Sequence, residues 1–313
     1  MRKWSALALS LSLAGLLSPT AVAWGNKSHR VIAELAERHI AKKNPKTLQE
    51  MTRLLGPSVR LSTLSTCADD FRGYMSERNR GAPNPRFPNG CILTRREVEA
   101  QFPKTAGWHF VNIPAPSPGE SLKRSESVLD AACEQNAPCI TTQIDHFTAQ
   151  LKNKKLSDRE RAIALLFLTH LIADIHQPLH AVSRNNDQGG NQVFVKIGRD
   201  TLRLHSAWDT VLVETTPTKV LSEQDLVSSL WNSDLNRSVP SRAHNARSWA
   251  WESAETACSS AYKQVPEQPS ALDNPIPLPE PGYRDQAVVE IRKRMYAASV
   301  RLADTIVKTL GKS

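Results

Sequence analysis

The sequence predicts a mainly α protein, a single helical domain carrying one small β-hairpin. Three observations predict it. Residues 163–182 open as an apolar helix with no breaker before Pro178. Apolar residues recur at helical spacing near both ends of the chain: Val31, Ile32, Leu35, Ala36 and Ile40, then Val288, Ile291, Met295, Ala298, Leu302 and Ile306. One short segment, VFVKI at 193–197, alternates as a strand does before the turn Gly198-Arg199-Asp200.

With 313 residues the chain can bury a substantial core. It has no internal repeat, P-loop or dinucleotide fingerprint. Its first 23 residues read as a signal peptide: Arg2 and Lys3 are the charged region, Ala6–Leu17 the apolar core, and Ala21-Val22-Ala23 the cleavage site. The apolar run is too short to span a bilayer and nothing later qualifies, so the expected product is secreted or periplasmic, with its domain at 24–313. Removing Arg2 and Lys3 takes the net charge from +9 to +7, which favours polyanionic ligands but is weak alone. Five cysteines in an exported chain make disulfides plausible. Cys133 and Cys139, flanking a short polar loop, are the expected pair; Cys67, Cys91 and Cys258 leave one over and their connectivity open.

Taken in order, Ser28 is a candidate cap for the first helix, with His29 in its first turn. A free α-amine at Trp24 and its own carbonyl can chelate a cation, and His29 can join them, although alone it reads as a surface residue. Helix continues through 45–80, broken at Gly56-Pro57. Within it Asp69 and Asp70 face different ways, and Arg72 shares a face with Asp69. Residues 79–106 read as an irregular loop. TAGWHFVNIP, at 105–114, reads as an extended stretch in which His109 and Asn112 are polar among Trp108, Phe110 and Ile113. A helix over 140–156 turns His146 away from its apolar face.

In the central helix, His170 and Asp174 stand at i,i+4 on one face. A carboxylate in so apolar a segment is costly unless paired or bound to a cation, so the helix reads as a metal site or a buried His–Asp pair. His176 points off that face, and His180 returns past the helix end after Pro178. Beyond the hairpin, LHSAWDTVLVE repeats the spacing with His205 and Asp209 on a new helix. Helix over 240–263, a Pro-rich strap and a last helix over 283–310 complete the chain.

The motifs WGNKSH, CADDFR, WHFVNIP, HLIADIHQPLH, GGN and LHSAWD occur in that order. Together they make the chain resemble the secreted zinc-dependent single-strand nuclease and 3′-nucleotidase family, the S-one/P-one type, over essentially all of its mature length. The resemblance implies a helical fold of the zinc phospholipase C and single-strand nuclease type holding three zinc ions. It assigns Asp69, His109, His170 and Asp174 to one ion, and His180, His205 and Asp209 to a second. The third takes the amine and carbonyl of Trp24, with His29 and a bridging Asp174. Such nitrogen and oxygen ligands suit zinc. By the same resemblance Arg72 steadies the transition state, and Phe110 and the GGN turn, chiefly Asn191, receive a base. The implied substrates are single-stranded DNA and RNA and 3′-nucleotides; the expected state is a monomer with no stable membrane association.

Two positions depart from the family pattern. Cys67 stands where a Trp often precedes Ala-Asp, and Asn112 where some relatives carry an Asp that helps activate water. A zinc phospholipase C is the alternative enzyme, although Asp174, GGN and LHSAWD favour the nuclease. A non-catalytic zinc protein would need neither an open coordination site nor Arg72.

Overall fold

Ser157 starts the helix around which the others pack. In the computed structural model, which describes residues 24–311 apart from 118–119, 217, 236–238 and 240–244, its hydroxyl accepts from Glu160 N while the Glu160 carboxylate accepts from Ser157 N. The capping box fixes the start of the helix. From Arg161 to Asp174 every residue of that helix is buried, as expected of a segment apolar on all sides. The signal-peptide residues and His244 lie outside the described residues.

In chain order the helices are α1 (Asn26–Lys43), α2 (Pro45–Leu55), α3 (Leu61–Leu64), α4 (Cys67–Asn79), α5 (Arg95–Gln101), α6 (Glu126–Glu134), α7 (Ile140–Lys152), α8 (Asp158–Asp174), α9 (Leu204–Ser206), α10 (Leu212–Glu214), α11 (Glu223–Trp231), α12 (Ala246–Thr256) and α13 (Gly282–Leu310). Short 3₁₀ turns occupy Ala106–His109 and Pro178–His180, and π-helical turns Ala207–Val211 and Ala257–Ala261. Helix α8 packs against α7 and α13, and α1 lies along α13. Phe167 of α8 centres an aromatic group, its ring 4.6 Å from Phe147, 4.9 Å from Phe102 and 5.4 Å from Trp108. Each such buried ring contributes on the order of 1.5–3 kcal/mol. No described helix is long and apolar enough to cross a membrane.

The strands are few and short. β1 (Ile113–Pro114) runs parallel to β2 (Val182–Ser183), with Ile113 opposite Val182. β3 (Phe194–Ile197) and β4 (Asp200–Arg203) form the expected antiparallel hairpin. The mainly α class with one small hairpin therefore holds, with several local corrections. The Pro-rich strap supplies β5 (Ile276–Pro277), which adds a parallel strand to β3. Residues 79–106 are not wholly irregular, because Thr94 and Glu97 form a capping box that starts α5. TAGWHFVNIP is extended only from Phe110, and its first half is the 3₁₀ turn. The helix expected to reach 156 stops at Lys152.

Two disulfides form: Cys133–Cys139, as expected, and Cys67–Cys91. The second ties the first residue of α4, Cys67, to the loop before α5. Cys258 is free.

Candidate metal centre

Four parts of the chain meet at the C-terminal end of α8. His170 and Asp174 come from α8 itself, Asp69 from the first turn of α4, His29 from the first turn of α1, and His109 from the 3₁₀ turn before β1. His170 Nε2 lies 2.9 Å from Asp174 Oδ2, and His109 Nδ1 2.9 Å from the same oxygen. His109 Nδ1 is also 3.5 Å from Asp69 Oδ1. His29 Nε2 stands 3.2 Å from the other Asp174 oxygen, and its ring stacks on His170 with centroids 4.1 Å apart. His29 is fully buried, so its reading in isolation as a surface residue does not hold.

Pairing of β1 with β2 brings the other half of the centre alongside. Val111 N donates to His180 O at 2.8 Å, while His180 Nδ1 meets His109 O at 2.9 Å. His205 and Asp209 follow on α9 and the π-helical turn, with His205 Nε2 3.3 Å from Asp209 Oδ2. Such π turns inside helices often mark functional sites. The Asn191 turn is held in left-handed backbone geometry at Gln188, Gly189 and Gly190. A Cβ at Gly189 would stand 2.2 Å from Leu179 O, so only glycine lets the turn pass the 3₁₀ segment that carries His180.

The imidazoles are oriented from behind. His170 Nδ1 faces Ser65 O at 2.6 Å, His180 Nδ1 faces His109 O, and His205 Nδ1 faces Gly189 O at 2.7 Å. Donation of Nδ1–H to a carbonyl fixes the tautomer and turns a basic Nε2 towards the centre, as metal-ligating histidines require. Burial, above all, lowers His109 and His205 to about 4 and His180 to about 3. These three rings are therefore neutral at pH 7. Burial opposes charge on His170 too, but Asp174 and Asp69 outweigh it and raise that ring to about 9. Burial alone would raise Asp174; the His170 charge and hydrogen bonds from His109, His170 and His29 hold it well below its ordinary value. Asp209 moves well above the ordinary carboxylate range through burial, with the Asp174 and Asp69 charges adding to it.

The donors fit a cation. Among the described residues His180 Nε2 and Asp69 Oδ2 are buried without a hydrogen-bond partner, a cost that a bound cation removes. Three sets place their donor atoms within 4.8 Å of one another: His29, His170 and Asp174; Asp69, His109 and His170; and His180, His205 and Asp209. Geometry thus sets His170 beside His29 as well as beside Asp69. Five imidazoles and three carboxylates, with no thiolate, are a zinc-compatible set. Trp24 is fully buried beside them. Its indole donates to Ala173 O at 2.9 Å, next to Asp174, and Gly25 N donates to Asp209 O at 2.9 Å.

A cavity of about 200 Å³ opens onto the centre. His109, His180 and His205 line it together with Arg72, Phe110, Asn112 and Asn191, so the expected substrate-facing residues face the expected ligands. Arg72 Nη2 lies 2.8 Å from Asp69 Oδ1, one helical turn back on α4. His176, as expected, points elsewhere: its Nε2 lies 2.9 Å from Arg301, and Arg301 pairs with Glu252.

Sequence reasoning passes over two contributors. Gln177 Nε2 donates to Asp209 Oδ1 at 2.6 Å, fixing a candidate ligand carboxylate from the turn between His176 and Pro178. Asn136, beside the Cys133–Cys139 disulfide, reaches the cavity wall. Gln177 has a signal, lying inside the HQPLH motif; Asn136 has none.

A family model described as S1/P1 Nuclease matches residues 24–311. Endonuclease 2 of Arabidopsis thaliana is 24% identical over 310 residues, covering 94% of this chain and 93% of its own. Nuclease S1 of Aspergillus oryzae is 28% identical over 207 residues, 66% of this chain and 60% of its own. Nuclease P1 of Penicillium citrinum is 23% identical over 231 residues, 73% of this chain and 71% of its own.

Proposed function

Because the chain belongs to the S1/P1 nuclease family, whose members are hydrolases of phosphodiester bonds, we propose that it is an exported zinc enzyme acting on single-stranded DNA and RNA. Its products on this reading carry 5′-phosphates, and it also removes the 3′-phosphate of nucleotides. One observation carries the proposal: the cavity shared by Arg72, Phe110, Asn112 and Asn191 with His109, His180 and His205.

Zinc held by Trp24, His29, Asp69, His109, His170, Asp174, His180, His205 and Asp209 would supply Lewis acidity to phosphoryl oxygen and acidify water towards a pKa of about 7. The residues of the chain do the rest. Arg72 presents a guanidinium that can bind two phosphoryl oxygens at once, while Asp69 holds its geometry from 2.8 Å. Phe110 offers a partly exposed ring for a base to stack on, which requires that base to be unstacked from its own duplex. That requirement favours single strands. Asn191 and Asn112 supply neutral hydrogen-bonding groups at the same wall.

The test is to incubate protein beginning at Trp24 with single-stranded DNA, RNA, 3′-AMP and phosphatidylcholine. The nuclease reading expects turnover of the first three. Cleavage of the lipid with none of nucleic acid would favour a phospholipase C, and zinc binding without any hydrolysis a structural zinc protein.

A further inference from the structure

Beyond the cavity at the candidate metal centre a wider groove of about 770 Å³ runs along α4. The two spaces share Arg72, Phe110 and Asn136, so the groove continues from the candidate reaction site. Arg72, Ser76 and Arg80 recur every four residues and line one face of α4 and its C-cap. At 1.5 Å per residue, Arg80 lies about 12 Å along the helix from Arg72. Lys104 adds a third cation from the segment after α5, and the one acidic residue lining the groove is Glu134.

These two outer cations are also uncommitted. The Arg80 guanidinium donates to Ser76 O in its own helical turn, at 3.2 Å. Among the described residues neither Arg80 nor Lys104 has a carboxylate partner, whereas Arg53, Arg60, Arg78, Arg124 and Arg159 each do. A polyanion passing through the groove would meet that excess of positive charge. That separation is several times the roughly 3.4 Å rise per nucleotide, so the two arginines can meet different phosphates of one strand.

We propose that this groove is a subsite for the continuing single strand, in which Arg80 and Lys104 bind phosphates beyond the scissile one. The proposal rests on the nuclease reading. It assigns a preference for oligonucleotides over mononucleotides to two residues that line neither the candidate metal centre nor the smaller cavity. Each phosphate contact releases counterions, so those residues also set part of the salt dependence.

The test compares the wild type with the double variant Arg80→Gln/Lys104→Gln on 3′-AMP and on single-stranded oligonucleotides of two to eight nucleotides, at several salt concentrations. The expected result is unchanged hydrolysis of 3′-AMP and an oligonucleotide KM raised about tenfold at low salt. The slope of log KM against log salt should fall by about 1.4, at about 0.7 per lost phosphate contact on a single strand. Both side chains are exposed, and an unchanged Tm would show the variant folded. A variant that keeps the wild-type length dependence and salt slope overturns the groove alone. A wild type that hydrolyses no nucleic acid overturns the nuclease reading and the groove with it.

Discussion

The Tyr262 hydroxyl donates a 2.7 Å hydrogen bond to Asp187, across 75 residues of sequence. The other Asp187 oxygen accepts from Arg184 N at 2.9 Å, and Gln192 N donates to Asp187 O at 3.0 Å. One buried carboxylate thereby pins the turn whose Gly189 carbonyl orients His205 and whose Asn191 faces the cavity. Tyr262→Phe removes a donor from a buried charged acceptor, at a cost of about 1–3 kcal/mol. We expect a Tm several degrees lower and weaker zinc retention. Thermal melts and dialysis against a weak chelator measure both; an unchanged melt would mean that the turn holds itself.

Acid should destabilise the fold through its buried histidines, beginning below about pH 6.5. Burial lowers His39 to about 4 and His176 well below its ordinary value, and the candidate ligands His109, His180 and His205 are lowered as well. Their folded values lie below the unfolded value of about 6.5, so the unfolded chain takes up protons first. Their stabilisation is complete above about pH 6.5 and is lost as pH falls through 4. His170, raised to about 9, has the opposite sign: its contribution is complete below about 6.5 and lost as pH rises through 9. His39 and His176 belong to none of the three donor sets, so the acid loss should persist in chelator. Melting temperatures that stay level from pH 7 to pH 4.5 with chelator present would contradict this.

Arg72 should act on rate more than on metal content. Its guanidinium faces the cavity and contacts one candidate ligand carboxylate, Asp69, which His109 and His170 also approach. Arg72→Ala is expected to lower kcat/KM on single-stranded DNA by about 10²-fold or more, with most zinc retained. Steady-state kinetics paired with elemental analysis decide it; a parallel loss of zinc and rate would make Arg72 a structural partner of Asp69.

Removal of residues 1–23 should be required for activity. Trp24 is buried against Ala173, one residue from Asp174, and an amide nitrogen at that position is a poor zinc ligand where a free amine is a good one. Protein starting at Trp24 is compared with protein carrying a short extension before it, both refolded with zinc. The extended form should hold less zinc and turn over more slowly. Equal zinc and equal rate would make Trp24 a packing residue alone.

What the sequence makes legible is whatever repeats at the spacing of a helix. His170 with Asp174 and His205 with Asp209 each stand one turn apart, so each pair is visible without a fold. The apolar run of α8 likewise shows its burial directly. His29, His109 and Asp69 carry no such mark: each is an ordinary polar residue until β1 pairs with β2 and α1 closes over α8, and only the motif order singles them out. Tyr262 and Asn136 are invisible for the same reason, since their partners or neighbours lie far away in sequence. The π-helical turn at Ala207–Val211 escapes as well, because His205 and Asp209 at i,i+4 read the same in a regular helix.

Metal stoichiometry of the mature protein tests the central claim most directly. Buried donor atoms without hydrogen-bond partners, three donor sets and a buried Trp24 support the proposal of three zinc ions per chain. Elemental analysis of protein beginning at Trp24, assayed in parallel on single-stranded DNA, should find about three zinc per chain in active samples. Asp174→Asn should cost both zinc and activity, and chelation should lower Tm as it removes zinc. One zinc or none in protein that still cuts single-stranded DNA at full rate would contradict the account.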